Sequence, residues 1–133
     1  MCGIYAYVGD KPAAQSLIEG IRKLEYRGYD SVGISTIENE NEIVIHKVVG
    51  NTKKLKTKLS HETLNGNIGI AHTRWATHGK ISEANAHPHI SQNSDVVISH
   101  NGIIENYLQL KQELLNENVI FKSETDSEII SHL

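Results

Sequence analysis

The sequence predicts an α+β domain, and three features carry that prediction. Short runs rich in strand formers recur along the chain. Two of them flank the polar stretch "ENEN", which marks a hairpin. Amphipathic segments of helical spacing lie between the others. No Gly-x-Gly-x-x-Gly turn follows a strand and no P-loop is present, so nucleotide-phosphate sites are not supported.

The elements follow in order. "GIYAYVG" (3–9) is apolar, rich in β-formers and closed by glycine, which reads as a buried strand. Next comes a helix in which Leu17, Ile18, Ile21 and Leu24 recur at helical spacing, with Asp10 as candidate cap and Pro12 near the first turn. "RGYDS" (27–31) is a loop. "VGISTI" and "EIVIHKVV" form the hairpin, and "NTKKLKTKL" is a short helix whose lysines face solvent. "NIGIAHT" (67–73) is a strand. The polar stretch 74–94 has little periodicity, and a connection of that length points to function. "DVVISH" (95–100) is a strand running into Asn-Gly. A helix follows with an apolar face at Ile104, Leu108 and Leu115. "VIFKS" (119–123) is strand-like, and "TDSEIISHL" begins a helix with Thr125 or Asp126 as cap.

Composition narrows the function classes. A net charge of -3, from 13 Lys+Arg against 16 Asp+Glu, lacks the basic footprint of a nucleic-acid binder. One cysteine excludes an internal disulfide and a cysteine-rich zinc module. No apolar run approaches the roughly 20 residues that span a bilayer, and no secretory signal is visible, so the reducing cytoplasm is the expected compartment. No cofactor is expected.

The single cysteine, Cys2, stands directly behind Met1. If Met1 is removed, the thiol gains its own α-amine as neighbour. Amine and thiol titrate near ~7.7–8.0 and ~8.5, close to working pH. The amine can then relay the thiol's proton, as in N-terminal threonine nucleophiles. The alternative is a bystander thiol. Asn101 and Gly102 fit either a plain Asn-Gly turn or two donors for an oxyanion. Arg74 is either a surface residue or a bidentate partner for a carboxylate, and Asp126 either a helix cap or a partner for an ammonium. His72, His78, His87, His89 and His100 crowd one region. They lack His-Glu-x-x-His spacing, and His87 and His89 should face opposite ways in an extended segment. They read as hydrogen-bonding supports rather than a metal site.

Six collinear motifs add a resemblance: "CGIYAYVG", "LEYRGYDSVGI", "GIAHTRWATHG", "NAHPH", "SHNGIIENY" and "SETDSEII". Together they resemble the glutamine-hydrolysing domain of the glutamine–fructose-6-phosphate aminotransferase family. That domain is a class II glutamine amidotransferase of the N-terminal-nucleophile hydrolase superfamily. "YRGYD" and "TRWATHG" separate it from amidophosphoribosyltransferases, asparagine synthetases and glutamate synthases. Val32, where many relatives carry alanine, is a minor departure.

The resemblance implies a four-layer αββα sandwich on two stacked antiparallel sheets. It implies that residues 1–133 are the N-terminal part of the domain, incomplete at the C-terminus, with the rest and the sugar-phosphate isomerase domains lying beyond. One apolar sheet face would then be open. Cys2 is implied as nucleophile, with Asn101 and Gly102 as oxyanion hole. Arg74 and Asp126 would hold glutamine's carboxylate and ammonium, with Thr77 and His78 lining the pocket. Residues 74–82 would form a closing loop, with Trp75, Arg27 and Tyr29 gating ammonia. The implied partners are glutamine, the isomerase domain and, in the full-length enzyme, a second copy; membrane and nucleic acid are not among them. The alternatives are a non-catalytic glutamine-binding fragment and the glutaminase module of another class II enzyme.

Overall fold

The computed structural model describes all of residues 1–133. Strand β1 (Gly3–Val8) leads to helix α1 (Ala13–Arg22) and a 3₁₀ turn at Glu25–Arg27. The hairpin of β2 (Ser31–Ile37) and β3 (Ile43–Val49) follows, then helix α2 (Thr52–Lys58) and strand β4 (Ile68–Arg74). Two short strands, β5 (His89–Ile90) and β6 (Val97–Ile98), and helices α3 (Tyr107–Asn116) and α4 (Glu128–His132) complete the chain.

The first four strands form an antiparallel sheet in the order β1-β4-β2-β3. Facing partners share a side of the sheet, and the register sorts the residues into two faces. Val32, Ile34 and Ala71 lie on one face and pack against Ala13, Leu17 and Ile21 of α1 and Leu55 of α2. Leu17, Ile21, Ile34 and Leu55 are fully buried, and each contributes about 1.5–3 kcal/mol of transfer free energy. The lysines of α2 are exposed, as its sequence predicts.

The opposite face carries the row Ile4–His72–Gly33–Lys47. Residues 84–89 lie over His72, Gly33 and Lys47 of this row. The His87 carbonyl sits directly above Gly33, where a Cβ would come within 2.2 Å of it. Helix α4 packs on β5 and β6, and α3 on α4, so the layers run α, β, β, α as expected. The second sheet has only two strands, and the segment leading into it covers the Gly33–Lys47 end of the first. Beyond it Ile4, Val8 and Ile68 remain exposed, a face prone to association.

Some local expectations fail. Residues 119–123 form no strand. They find no neighbouring strand, and the backbone N–H groups of Lys122 and Ser123 donate to the Glu128 carboxylate instead. Of "DVVISH" only Val97 and Ile98 pair. Leu108 and Leu115 are exposed, and in α3 only Leu114 is buried. Asp10 caps nothing: α1 starts after Pro12, and the Ala13 N–H donates to the Gly66 carbonyl. Thr125 and Asp126 do not cap α4, which Ser127 precedes without a side-chain cap bond.

Lys47 fastens the covering segment. Its ammonium donates to the carbonyls of Ala86 (2.8 Å), Pro88 (3.3 Å) and Ala84 (3.4 Å). Burial pulls its pKa down to about 8, while Glu128 and Glu83 pull it up. A Lys47→Met chain keeps the aliphatic stem but strands these carbonyls. It is expected to lose about 1–3 kcal/mol of stability, read from urea unfolding at pH 7.

Candidate active site

The pairing Gly3↔Thr73 places Cys2 beside the chain as it leaves β4. There the Trp75 N–H donates to Cys2 Sγ at 3.1 Å, and the thiol donates to the Trp75 carbonyl at 3.5 Å. The Cys2 carbonyl accepts from Arg27 Nε (3.3 Å) and from Asn101 Nδ2 (3.2 Å). Gly102 follows Asn101 with φ of +153°, and a Cβ there would meet the His100 ring at 2.9 Å. Both constraints favour glycine.

Arg74 ends β4 and is buried. Its guanidinium donates to the carbonyls of His78, Gly79 (3.4 Å) and Lys80 (3.2 Å), so the loop after β4 folds back over it. Burial lowers the Arg74 pKa, while Cys2, Asp30 and Asp126 favour its charge. Asp30 holds the same loop, since its carboxylate accepts from the Ala76 N–H at 2.8 Å. Asp126 is also buried and accepts from the Ile104 N–H at 2.7 Å.

Cys2, Arg74, Asn101, Gly102 and Asp126 therefore line one pocket, together with Trp75, Thr77 and His78. Its volume is only about 40 Å³, far below the ~300–1,000 Å³ of ordinary small-molecule sites. Arg27 lines an adjoining cleft that shares Cys2, Trp75 and Asn101. Tyr29 lies outside both and meets the Trp75 ring edge-to-face at 5.6 Å. Trp75 is 44% exposed and belongs to no core.

A stack of buried histidines runs behind the pocket, with His87 at the pocket's wall. The His72 and His87 rings stack at 4.1 Å, and His87 meets His89 at 4.5 Å. The expectation that His87 and His89 face opposite ways is corrected here. It assumed a straight extended segment, whereas both rings join one stack and meet edge to face. Burial lowers the pKa of His72 to about 4 and of His89 to about 3, and pushes His87 well below the usual imidazole range. The outer histidines reach the pocket's rim: His72 Nε2 lies 2.8 Å from Asn101 Oδ1, and His89 Nε2 lies 2.8 Å from Thr125 Oγ1.

Sequence reasoning missed several pocket contributors. His100 Nδ1 lies 3.0 Å from Ser127 Oγ and ties the Asn101 segment to the Asp126 segment. Thr125, Ser127 and His87 also line the pocket. The crowding of histidines between 72 and 100 was the available signal, but one-dimensional spacing does not say which ring supports which side chain.

Two antiparallel sheets flanked by helices, with a half-buried cysteine, amide donors and a buried Arg and Asp gathered at one pocket, match the N-terminal-nucleophile hydrolase fold of the solved structures similar to this chain. A family model described as "Glutamine amidotransferase domain" matches residues 56–133, and the chain belongs to that family. It is 51% identical over 133 residues to the glutamine–fructose-6-phosphate aminotransferase (isomerizing) of Pyrococcus horikoshii, and 52% identical to that of Buchnera aphidicola. Each match covers 100% of this chain and 22% of the relative, so the chain spans about a fifth of the length of these curated relatives. Among solved structures it is similar to a glutamine phosphoribosylpyrophosphate amidotransferase from B. subtilis complexed with ADP and GMP, with 29% identity and a TM-score of 0.82. A second, the allosteric regulatory enzyme of purine biosynthesis, gives 30% identity and a TM-score of 0.83. Both cover 100% of this chain and 29% of the solved one. No helix is long and apolar enough to cross a membrane.

Proposed function

We propose that the chain hydrolyses the side-chain amide of glutamine through Cys2. The observation that carries this reading is the convergence of the Cys2 thiol, the Asn101 amide, Gly102, the Arg74 guanidinium and the Asp126 carboxylate on one pocket. Once Met1 is removed, the free α-amine takes the thiol's proton as sulfur attacks the amide carbon. The Asn101 NH2 and the Gly102 N–H receive the developing oxyanion. The amine then protonates the leaving nitrogen, ammonia departs, and a γ-glutamyl thioester remains. Water cleaves the thioester, releasing glutamate and the thiol.

Arg74 holds the α-carboxylate and Asp126 the α-ammonium, while Thr77 and His78 line the pocket. The carbonyls of His78, Gly79 and Lys80 on Arg74 stand where the carboxylate would bind, so the closing loop, residues 74–82, must open for glutamine to enter and then close over it. Trp75, with Arg27 and Tyr29, gates the outgoing ammonia. Fructose 6-phosphate is the acceptor we favour over a phosphoribosyl acceptor, because the curated aminotransferases are about 50% identical and the phosphoribosyl enzyme only 29%. An acceptor domain joined to this one, in a reducing cytoplasm, completes the reading.

The test is intact mass after treatment with a glutamine-shaped diazoketone, with glutamate as competitor. One adduct on a Met1-free chain, suppressed by glutamate, supports the reading. A chain that stays unlabelled while a generic alkylating agent modifies Cys2 refutes it for these residues. Arg74→Lys tests the carboxylate role. A lysine cannot reproduce the bidentate fork, and losing one charge-assisted bond of about 1.5–3 kcal/mol raises KM for glutamine about 10- to 150-fold. Steady-state kinetics should show kcat changing far less.

A further inference from the structure

We propose that His72 is a positioning residue that holds the Asn101 amide with its NH2 turned toward Cys2. The catalytic consequence rests on the glutaminase reading; the geometry itself does not.

An asparagine amide can sit either way round, and its partners must decide which. Here two partners decide together. The Cys2 carbonyl can only accept, so the group 3.2 Å from it must be the Asn101 NH2. That turns Oδ1 toward His72 Nε2, 2.8 Å away. A carbonyl oxygen can only accept, so His72 Nε2 must carry a hydrogen. The opposite nitrogen, His72 Nδ1, is buried without a hydrogen-bond partner. A bare lone pair there costs less than a bare N–H, which favours the same tautomer.

The ring has little freedom to do otherwise. His72 is 1% exposed, its backbone is paired on both sides within β4, and the His87 ring stacks on it. One hydrogen of the Asn101 NH2 is spent on the Cys2 carbonyl, and the other is left for an oxygen arriving at the thiol. With the amide reversed, a carbonyl oxygen would face the developing oxyanion and repel it.

The experiment uses the full chain. Long-range ¹H–¹⁵N spectra of the imidazoles at neutral pH should show His72 neutral with its hydrogen on Nε2. His72→Phe should lower kcat for glutamine hydrolysis about 10- to 100-fold, part of the ~10²–10³ that a whole oxyanion donor supplies, with KM within about threefold. In an Asn101→Ala background the same substitution should cost nothing more, because both act through one amide. Alkylation of Cys2 by the diazoketone forms its bond at a saturated carbon and should be unchanged. His72→Gln, whose NH2 can still donate to Oδ1, should recover part of the rate.

A hydrogen on Nδ1 overturns the proposal even if the Phe variant fails to fold. So does a further kcat loss in the Asn101→Ala background, or alkylation falling in step with kcat. A wild-type chain with the Nε2–H tautomer but no glutamine turnover sinks the glutaminase reading and leaves the amide orientation standing.

Discussion

Cys2→Ala will lower glutamine hydrolysis by about 10⁴-fold or more, the scale on which removal of a covalent nucleophile acts. The variant will remain folded. Cys2 lies outside the strand ladder, is half-buried, and bonds only the Trp75 backbone through its side chain. Substitutions at such positions change stability by about 0.5 kcal/mol or less. A companion measurement separates thiol from amine. While Met1 is attached, the Cys2 nitrogen is an amide with no basic lone pair, so it cannot relay the thiol's proton. Intact mass resolves chains with and without Met1 in one sample, and only the Met1-free population should acquire the glutamine-shaped label. Equal labelling of both would refute the role given to the α-amine. A Cys2→Ala chain that still releases glutamate would refute the nucleophile outright.

The order of elements was readable because each leaves a local trace. Runs of strand formers in 31–37 and 43–49 around a polar turn specify the hairpin, and Leu17 and Ile21 specify the buried side of α1. The elements misread are those whose partners lie elsewhere in the chain. "VIFKS" has strand composition but no strand to pair with. Leu108 and Leu115 have helical spacing but no surface to cover, so they stay exposed.

The candidate site divides in the same way. Chemistry alone left Cys2, Asn101 and Gly102, Arg74 and Asp126 each with two readings, and what the fold adds is that all five line one pocket. The roles of Trp75, Arg27, Tyr29, Thr77 and His78 came only from the resemblance. What no spacing could reveal is the support behind them. His72 and Asn101 are 29 residues apart, and Asp30 reaches the loop after β4 from 46 residues away. Such contacts are products of strand register, which exists only once the chain is folded.

The histidine stack makes stability steeply dependent on acid. Unfolded, His72, His87 and His89 take up protons near the ordinary ~6.5. Folded, His72 resists until about pH 4, His89 until about pH 3, and His87 lower still. Burial is the main cause. Arg74 and Lys47 add repulsion to both His87 and His89, and His132 adds it to His89. Above ~6.5 all three are neutral in both states, so they leave stability flat. Between ~6.5 and about 4 only the unfolded chain binds these protons, so stability falls as pH falls. Each such proton is worth about 1.4 kcal/mol per pH unit, and three approach roughly 4 kcal/mol per unit once the unfolded forms are fully charged. Over that span the loss reaches about 10 kcal/mol, which matches the middle of the typical range of about 5–15 kcal/mol. Urea midpoints at pH 7.5, 6.5 and 5.5 should drop sharply only across the lower interval. His87→Phe should make that slope shallower by one proton. A slope indifferent to His87 would mean that this ring takes up its proton in the folded chain as readily as in the unfolded one. The same neutrality bears on function. With three uncharged rings behind the pocket, Arg74 stands there as the cation a carboxylate would meet, and the stack separates the Asn101 and Thr125 supports without adding charge to either.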